Sequence, residues 1–255
     1  MSEAGSLIRS LSGRPAARNF HTFVINEIGA GIITGKFPIG SILPSDALMM
    51  EAYGVSRTVL REALRTLEAK GLVEARPKVG TRVSPSSRWN LFDAQVLSWH
   101  YEAQLDRRFV ESLFDVRQAL ERRAADLAAR NRTAEQVRLL KYWVHQMDVS
   151  ADSVEQHALA DLEVHRIIAE TSHNPLLRSV TGVVELTLAL AATTGTEADR
   201  LLARRTSTTL HELLVQALEN GQPEAAVTAM EAIISGALWH TLKRFADHLG
   251  QLDNL

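Results

Sequence analysis

The segment GSILPSDALMMEAYGVSRTVLREALRTLEAKGLVEARPKVGTRV, residues 40–83, decides the fold of the first part of this chain. Apolar residues recur at helical spacing before Gly54, a tight-turn residue, and again from Ser56 to a stop at Gly71. Residues 72–83 then alternate like two short strands around a turn. With an amphipathic helix upstream, this pattern predicts a helix-turn-helix followed by a small β-wing.

The helix after Ser56 carries basic and hydroxyl side chains on its outer face, and the wing adds more. A helix fits the major groove of DNA, where arginine can bridge guanine O6 and N7 or clamp a phosphate. The candidate DNA-binding residues are Ser56, Arg57, Thr58, Arg61, Arg65, Lys78, Gly80 and Arg82. The same spacing also fits a solvated helix face on which Glu62 and Glu68 pair with the arginines.

This segment resembles the winged helix-turn-helix of the GntR-type bacterial transcription regulators, through its LPS, GVSR, REAL and G-T-x-V elements. The resemblance implies that Arg57 and Arg61 are the recognition-helix arginines and that Gly80 lies at the wing tip. Many relatives have a basic residue where this chain has Ala47. One DNA contact of the family is therefore expected to be missing, and the operator sequence is expected to differ accordingly.

Charge is distributed unevenly along the 255 residues. Residues 1–88 hold 12 Lys/Arg against 7 Asp/Glu, whereas the remainder holds 16 against 23. A basic module joined to an acidic one is typical of a chain in which one part meets a polyanion. The absence of cysteine excludes disulfides, thiolate metal sites and cysteine nucleophiles. No apolar stretch is long enough to span a membrane, so we expect a cytoplasmic protein without a membrane partner.

The second part of the chain lacks strand signals and shows a run of amphipathic helices, which predicts an all-α bundle. The expected fold class is therefore mainly α, with a winged helix-turn-helix before the bundle. We predict a flexible N-terminus over 1–16, the winged domain over 17–85, a linker over 86–93, and the helical domain over 94–250.

An aspartate and two histidines stand out on the otherwise apolar later helices. Asp161 and His165 are four residues apart and therefore share a helix face, and His211 lies on a later helix that could cross it. Carboxylate and imidazole groups are ligands of Zn²⁺ and similar ions, so these residues form a candidate divalent metal site. The spacing also fits an Asp161–His165 ion pair with a core histidine at position 211.

About residues 95–245 resemble the all-helical effector-binding domain, called FCD, of the FadR branch of these regulators. The resemblance implies one divalent ion held inside the bundle by Asp161, His165 and His211. The fourth ligand of metal-binding members is a histidine that falls on Ile233, and isoleucine cannot bind metal. Three ligands completed by water or an effector carboxylate, and an empty polar pocket, both remain open.

Arg117 lies among apolar neighbours in FDVRQALE, with Glu121 one turn later. Spacing alone fits a surface ion pair between them. The resemblance implies instead that Arg117 points into the ligand cavity, where a guanidinium can hold a carboxylate by two parallel hydrogen bonds. Thr194 and Trp99 are further candidates for a hydroxyl contact and a stacking wall. The candidate effector-binding residues are Arg117, Asp161, His165, His211 and Thr193.

The segment SPSSRWNLFDAQVLSWHYE, residues 84–102, resembles the linker of sugar-acid-responsive members of the galactonate-operon repressor type. The resemblance implies an aldonate or related hydroxy acid as effector. We therefore expect a homodimeric repressor that reads a pseudo-palindromic operator and releases it when the effector binds. The alternatives are the same regulator with another carboxylate or an acyl thioester, and a metal-dependent helical enzyme. The enzyme alternative lacks a general base or nucleophile beside the three metal-ligand candidates.

Overall fold

The computed structural model describes residues 5–11, 20–103 and 105–252. The chain forms two compact units, one comprising residues 15–105 and the other comprising residues 1–14 with 106–255. The helices and strands in chain order are α1 (Ser6–Ser10), α2 (Phe20–Ile33), α3 (Asp46–Tyr53), α4 (Arg57–Ala69), β1 (Val73–Arg76), β2 (Gly80–Val83), α5 (Ala94–Glu102), α6 (Arg107–Asn131), α7 (Ala134–Val149), α8 (Val154–Thr171), α9 (Thr181–Ala192), α10 (Glu197–Glu219) and α11 (Pro223–Leu252). The expected fold class is confirmed. No helix in these described ranges has the length and apolar character needed to cross a membrane.

The first unit is a winged helix-turn-helix. The Ser45 hydroxyl caps α3 by accepting from the amide of Leu48, and Gly54 ends that helix in the left-handed conformation, with φ 64°. Ser56 then caps α4, where its hydroxyl accepts from the amide of Val59. Strands β1 and β2 pair antiparallel, with Val73 opposite Val83. The two serine caps and the turn at Gly54 place α4 as the sequence predicts, and the paired strands form the predicted wing.

Helix α5 belongs to this first unit, although the sequence analysis assigned it to the helical domain. Its Trp99 is buried in the same core as α2, and the indole Nε1 donates to Asn26 Oδ1 at 3.1 Å. Gly29 permits this packing because a Cβ there would lie 2.5 Å from the indole ring. The boundary between the units therefore lies near residue 105 rather than residue 94.

The second unit is a bundle of α6 to α11, in which α11 packs on α6 and α10, and α8 packs on α6, α7 and α9. Residues 177–192 form a 3₁₀ turn, Leu177–Val180, followed directly by α9. Just before this turn, Asn174 Oδ1 accepts from the amide of Leu176 at 3.0 Å.

Helix α1 packs on the second unit, so the described part of the predicted flexible N-terminus is ordered. Ile8 is fully buried among apolar residues of α8 and α9, including Leu162 and Val184. On α9, the buried Glu185 Oε1 accepts from the amides of Leu7 and Ile8 at 2.6 and 3.3 Å. Residues 1–4 and 12–16 of the predicted segment lie outside the described residues.

Candidate functional site

The outer face of α4 and the wing form the candidate DNA-binding surface. All eight candidate residues of this surface are exposed, whereas Leu60, Ala63 and Leu67 on the opposite face of α4 are buried. The strong amphipathicity of the helix thus turns its apolar stripe inward and its arginines outward. Lys78 adopts a positive φ of 63° in the turn between the strands.

The arginines on this surface differ in their partners. Arg65 pairs with Glu62 at 2.7 Å, and Arg82 Nε donates to the Gly40 carbonyl at 2.8 Å. Glu68 accepts from the amide of Ala75 and pairs with no arginine in the described ranges. For Arg57, Arg61 and Lys78, the described residues supply neither an ion pair nor a hydrogen bond to the side chain. The alternative of a mutually paired helix face therefore holds for Arg65 alone.

In the helical unit, Asp161 and His165 from α8 meet His211 from α10. Asp161 Oδ1 lies 3.2 Å from His165 Nε2 and 3.4 Å from His211 Nε2, and all three side chains are buried. The three residues that the sequence selected are thus brought together. One potential ligand atom from each lies within 4.8 Å of the others.

The hydrogen bond of His211 and the ion pair of His165 leave the same nitrogen of each imidazole directed at Asp161. His211 Nδ1 lies 2.8 Å from the Ser207 carbonyl, and His165 Nδ1 lies 2.5 Å from Glu121 Oε1. Carbonyl and carboxylate oxygens only accept, so both Nδ1 atoms carry a proton and both Nε2 atoms face Asp161. Asp161 Oδ1 and His211 Nε2 have no hydrogen-bond partner among the described residues. This donor set fits a divalent cation, with Glu121 and Ser207 orienting the ligands.

Arg117 is buried in the interior beside this group, so the surface ion pair suggested by its spacing is wrong. Its Nε donates to Glu121 Oε2 at 2.6 Å, Nη1 donates to Thr187 Oγ1 at 2.9 Å, and Nη2 lies 3.2 Å from His165 Nε2. Two guanidinium nitrogens therefore have hydrogen-bond acceptors within the protein, and the third lies against the imidazole of His165. Thr187, on α9, escaped the sequence analysis because nothing in its apolar segment links it to Arg117, 70 residues earlier.

Ion pairs among the buried side chains determine the protonation states of Glu121, His165 and Asp161. Burial alone would raise the pKa of Glu121, but Arg117 and His165 bring it down to about 2. Burial would likewise lower the pKa of His165, yet Glu121 and Asp161 on either side raise it to about 9. Burial also opposes ionisation of Asp161, but His211 and His165 hold its pKa well below the ordinary value. A divalent cation bound here would replace the proton on His165 Nε2.

A cavity of about 260 Å³ opens beside Asp161, lined by residues of α8, α9, α10 and α11. Asp161 and Ile233 both line it. The other four candidate effector-binding residues do not line this cavity, in contrast to the expectation: Arg117, His165, His211 and Thr193. The Thr193 hydroxyl donates to the Ala189 carbonyl of its own helix at 3.1 Å. Trp99 belongs to the first unit.

Two further cavity residues were missed by the sequence analysis. His157 lies one turn before Asp161, so the i, i+4, i+8 spacing that ends at His165 could have revealed it. Burial lowers the pKa of His157 to about 4, and its Nε2 lies 3.3 Å from Thr208 Oγ1. Arg204 also lines the cavity. No spacing signal marked it, since it lies in the charged run DRLLARR.

Comparisons with known proteins agree with the division of the chain into a winged unit and a helical unit. Residues 21–83 match the family model described as bacterial regulatory proteins, gntR family, and residues 112–236 match the FCD domain model. The HTH-type transcriptional regulator YieP of Escherichia coli K12 is 32% identical, over 86% of this chain and 94% of its own. The galactonate operon transcriptional repressor of the same strain is 31% identical, over 62% and 69%.

A third relative, the HTH-type transcriptional repressor NanR of Citrobacter rodentium, is 30% identical over 92% of this chain and 91% of its own. Among solved structures, E. coli McbR/YncC has a TM-score of 0.54 at 17% identity, covering 90% of this chain and all of the other. A structure titled for Lar, which controls the Listeria monocytogenes agr system, has a TM-score of 0.63 at 16% identity, covering 90% and 99%. These two structures share the fold of this chain.

Proposed function

Because this chain belongs to the GntR family of bacterial regulatory proteins and carries an FCD domain, we propose that it is a repressor. It would leave operator DNA when it binds a small carboxylate effector. Its family is one of transcription regulators rather than enzymes, so the alternative of a metal-dependent enzyme is wrong. The winged unit is the DNA-binding domain and the helical unit is the effector-binding domain. The protein would act in the cytoplasm, where bacterial DNA is found.

The exposed arginines of α4 support sequence-specific DNA binding. Arg57 and Arg61 would contact base edges in the major groove, with Ser56 and Thr58 beside them. Contacts to phosphate would come from Arg65, Lys78 and Arg82, and Gly80 would let the wing approach the DNA backbone. As a homodimer, the protein would read two half-sites related by its own two-fold symmetry. The repressor names of two relatives favour repression over activation.

A sugar acid is the effector class that the observations favour. One of the relatives is named for the galactonate operon. A cavity of about 260 Å³ suits a compact acid of five or six carbons better than an acyl thioester of coenzyme size. Hydroxyl-rich acids also chelate divalent cations, and Asp161, His165 and His211 would hold such an ion at the cavity wall. When bound, the ion would supply a positive charge for the effector oxygens.

Effector binding would change DNA affinity only through a difference in its affinity for two conformations of the dimer. We propose that the acid favours a conformation in which the recognition helices no longer fit both half-sites. The observation that carries this proposal is the meeting of three metal-ligating side chains inside the effector-binding domain, one of which, Asp161, lines a cavity.

The test begins with DNA selected from a random pool by the purified protein. Release of that DNA and the thermal unfolding midpoint are then measured against a panel of aldonates, with and without chelator. We expect one acid to release the DNA and to raise the midpoint, since a ligand of the folded state stabilises it. Loss of both effects in chelator would support the three-ligand metal site. Selection of no preferred DNA sequence, or release by none of the acids, would overturn the proposal.

A further inference from the structure

Arg204 on α10 is a cavity residue whose guanidinium is held rigidly but incompletely. Its side chain is only 7% exposed, and it lines the same cavity as Asp161. Its Nε donates to the Ala151 carbonyl at 2.6 Å, and its Nη2 lies 2.9 Å from Glu197 Oε1. Its Nη1 is buried and has no hydrogen-bond partner among the described residues. An unmet donor on a buried cation is costly, and a ligand acceptor would satisfy it.

Positive charge around Arg204 is only partly neutralised. Its partner Glu197 is 63% exposed and also pairs with Arg200, at 2.7 Å. One carboxylate thus serves two guanidinium groups, so the charge of Arg200 and Arg204 is only half neutralised by Glu197. The buried His157 is neutral at pH 7, because burial lowers its pKa to about 4. Lys243, also on the cavity wall, already faces Asp199 at 3.7 Å.

Arg117 presents the opposite situation. Two of its guanidinium nitrogens donate to Glu121 and Thr187, the third lies against His165, and the residue is outside the set that lines the cavity. It would have to break the buried pair with Glu121 before it could hold a carboxylate. In Arg204, by contrast, Nη1 can take a further acceptor while Nε and Nη2 keep the hydrogen bonds that they already make.

The order of residues along α10 gives the direction of a bound ligand. Arg204, Ser207 and His211 follow at spacings of three and four and therefore share one face of the helix. The rise from the first to the last is about 10 Å. Ser207 Oγ lies 3.4 Å from Asp161 Oδ2, midway along this row. A linear acid of five or six carbons can extend from Arg204 towards the metal-ligand candidates.

We propose that Arg204, and not Arg117, receives the carboxylate of the effector, whose hydroxyl chain lies along α10 towards Ser207 and His211. This assignment rests on the proposed function, because it takes a sugar acid as the ligand. It makes Arg204 the residue that distinguishes an aldonate from the neutral amide of the same sugar. The effector class follows as an unbranched polyhydroxy acid with a free carboxylate at one end.

The experiment is calorimetric titration of the full-length protein with an aldonate and with the matching aldonamide, which lacks the negative charge. Wild type is expected to prefer the acid. In Arg204→Gln, acid affinity falls about 10- to 100-fold while amide affinity changes little, because a charge-assisted hydrogen bond is lost. The matched control is Arg200→Gln, which removes the same charge from the same helix and wall. Its donors are already bound to Gly195 and Glu197, so we expect an effect below about threefold.

A second variant keeps the assignment testable if Arg204→Gln fails to fold. Glu197→Gln removes the competing carboxylate and leaves both guanidinium groups in place, so acid affinity rises by about two- to fivefold without a rise in amide affinity. If Arg204→Gln kept the wild-type preference for the acid, or if Arg200→Gln lost as much acid affinity as Arg204→Gln, the role of Arg204 would be overturned. The proposed effector class would still stand. If Arg204→Gln is unfolded, unchanged acid affinity in Glu197→Gln would likewise overturn the role of Arg204. Wild type that binds neither compound while still binding its selected DNA would overturn the proposed effector class as well.

Discussion

The DNA-binding surface and the interior of the effector-binding domain use arginine in opposite ways. On α4, Arg57 and Arg61 are exposed, and the described residues give them no ion pair. In the bundle, Arg117 is 2% exposed and its guanidinium contacts three buried side chains. Water solvates Arg57 and Arg61, so either one can be replaced at little cost to folding stability. The buried guanidinium is part of a network whose members stabilise one another, so it cannot be removed alone.

The largest effect is expected for Arg117→Met, which keeps apolar volume but leaves Glu121 buried without its cation. We expect the free energy of unfolding to fall by roughly 3 kcal/mol or more. Denaturant unfolding measures this loss. The matched control is Arg65→Met, which removes an exposed arginine paired with Glu62 and costs at most about 1 kcal/mol. Equal losses in the two variants would remove the distinction between the two regions.

A second test uses pH and the buried His157. Its pKa is about 4 in the folded state against 6.5 for the free side chain, so the unfolded chain binds a proton more readily. Stability is therefore fully present above pH 6.5 and declines as the pH falls towards 4, by up to roughly 3 kcal/mol. In excess chelator, His157→Gln should flatten this decline, whereas the exposed His145→Gln should leave it. A wild-type profile that is flat from pH 7 to pH 5 would contradict the expectation.

On the exposed side, Arg61→Ala should leave stability within about 0.5 kcal/mol and weaken binding to the selected DNA by about 1–3 kcal/mol. Binding to scrambled DNA should change less, because a base contact carries sequence information. Fluorescence anisotropy with both DNAs at one salt concentration gives the comparison. Arg138→Ala, an exposed arginine of the other unit, serves as control. Identical affinity of Arg61→Ala and wild type for both DNAs would show that Arg61 does not read bases.

The smallest effect is expected for Lys78→Ala in the wing. A lost phosphate contact weakens binding to all DNA sequences alike and lowers the slope of log K against log salt by about 1. Titrations at four salt concentrations measure that slope. A loss of preference for the selected DNA, with the slope unchanged, would instead place Lys78 at a base.

The contrast between the DNA-binding surface and the interior of the effector-binding domain also separates what could be predicted from sequence from what could not. The winged helix-turn-helix was predictable because its caps, its turn at Gly54 and its exposed arginines are local features. The meeting of Asp161 with His165 was predictable for the same reason, since one helical turn joins them. Their junction with His211 was a hypothesis that the fold supports.

The rest depends on contacts between distant segments. The interior position of Arg117 is fixed by Thr187, and the position of Arg204 is fixed by the Ala151 carbonyl, 53 residues away. Likewise, α5 is placed in the first unit by Trp99 packing over Gly29. Periodicity reports which face of a helix is buried but not what covers it. Arg117 and Trp99 were therefore candidates whose partners the sequence could not supply, and Arg204 was not a candidate at all.

The docking of α1 has a consequence for chimaeras made between relatives. Because residues 5–11 pack on the effector-binding domain, that domain is assembled from two stretches of chain that flank the DNA-binding domain. A domain swap with a single junction near residue 105 would supply Ile8 from one parent and its pocket, with the buried Glu185, from the other. The DNA-binding domain behaves as an insertion, so exchanging it cleanly needs two junctions, one on each side.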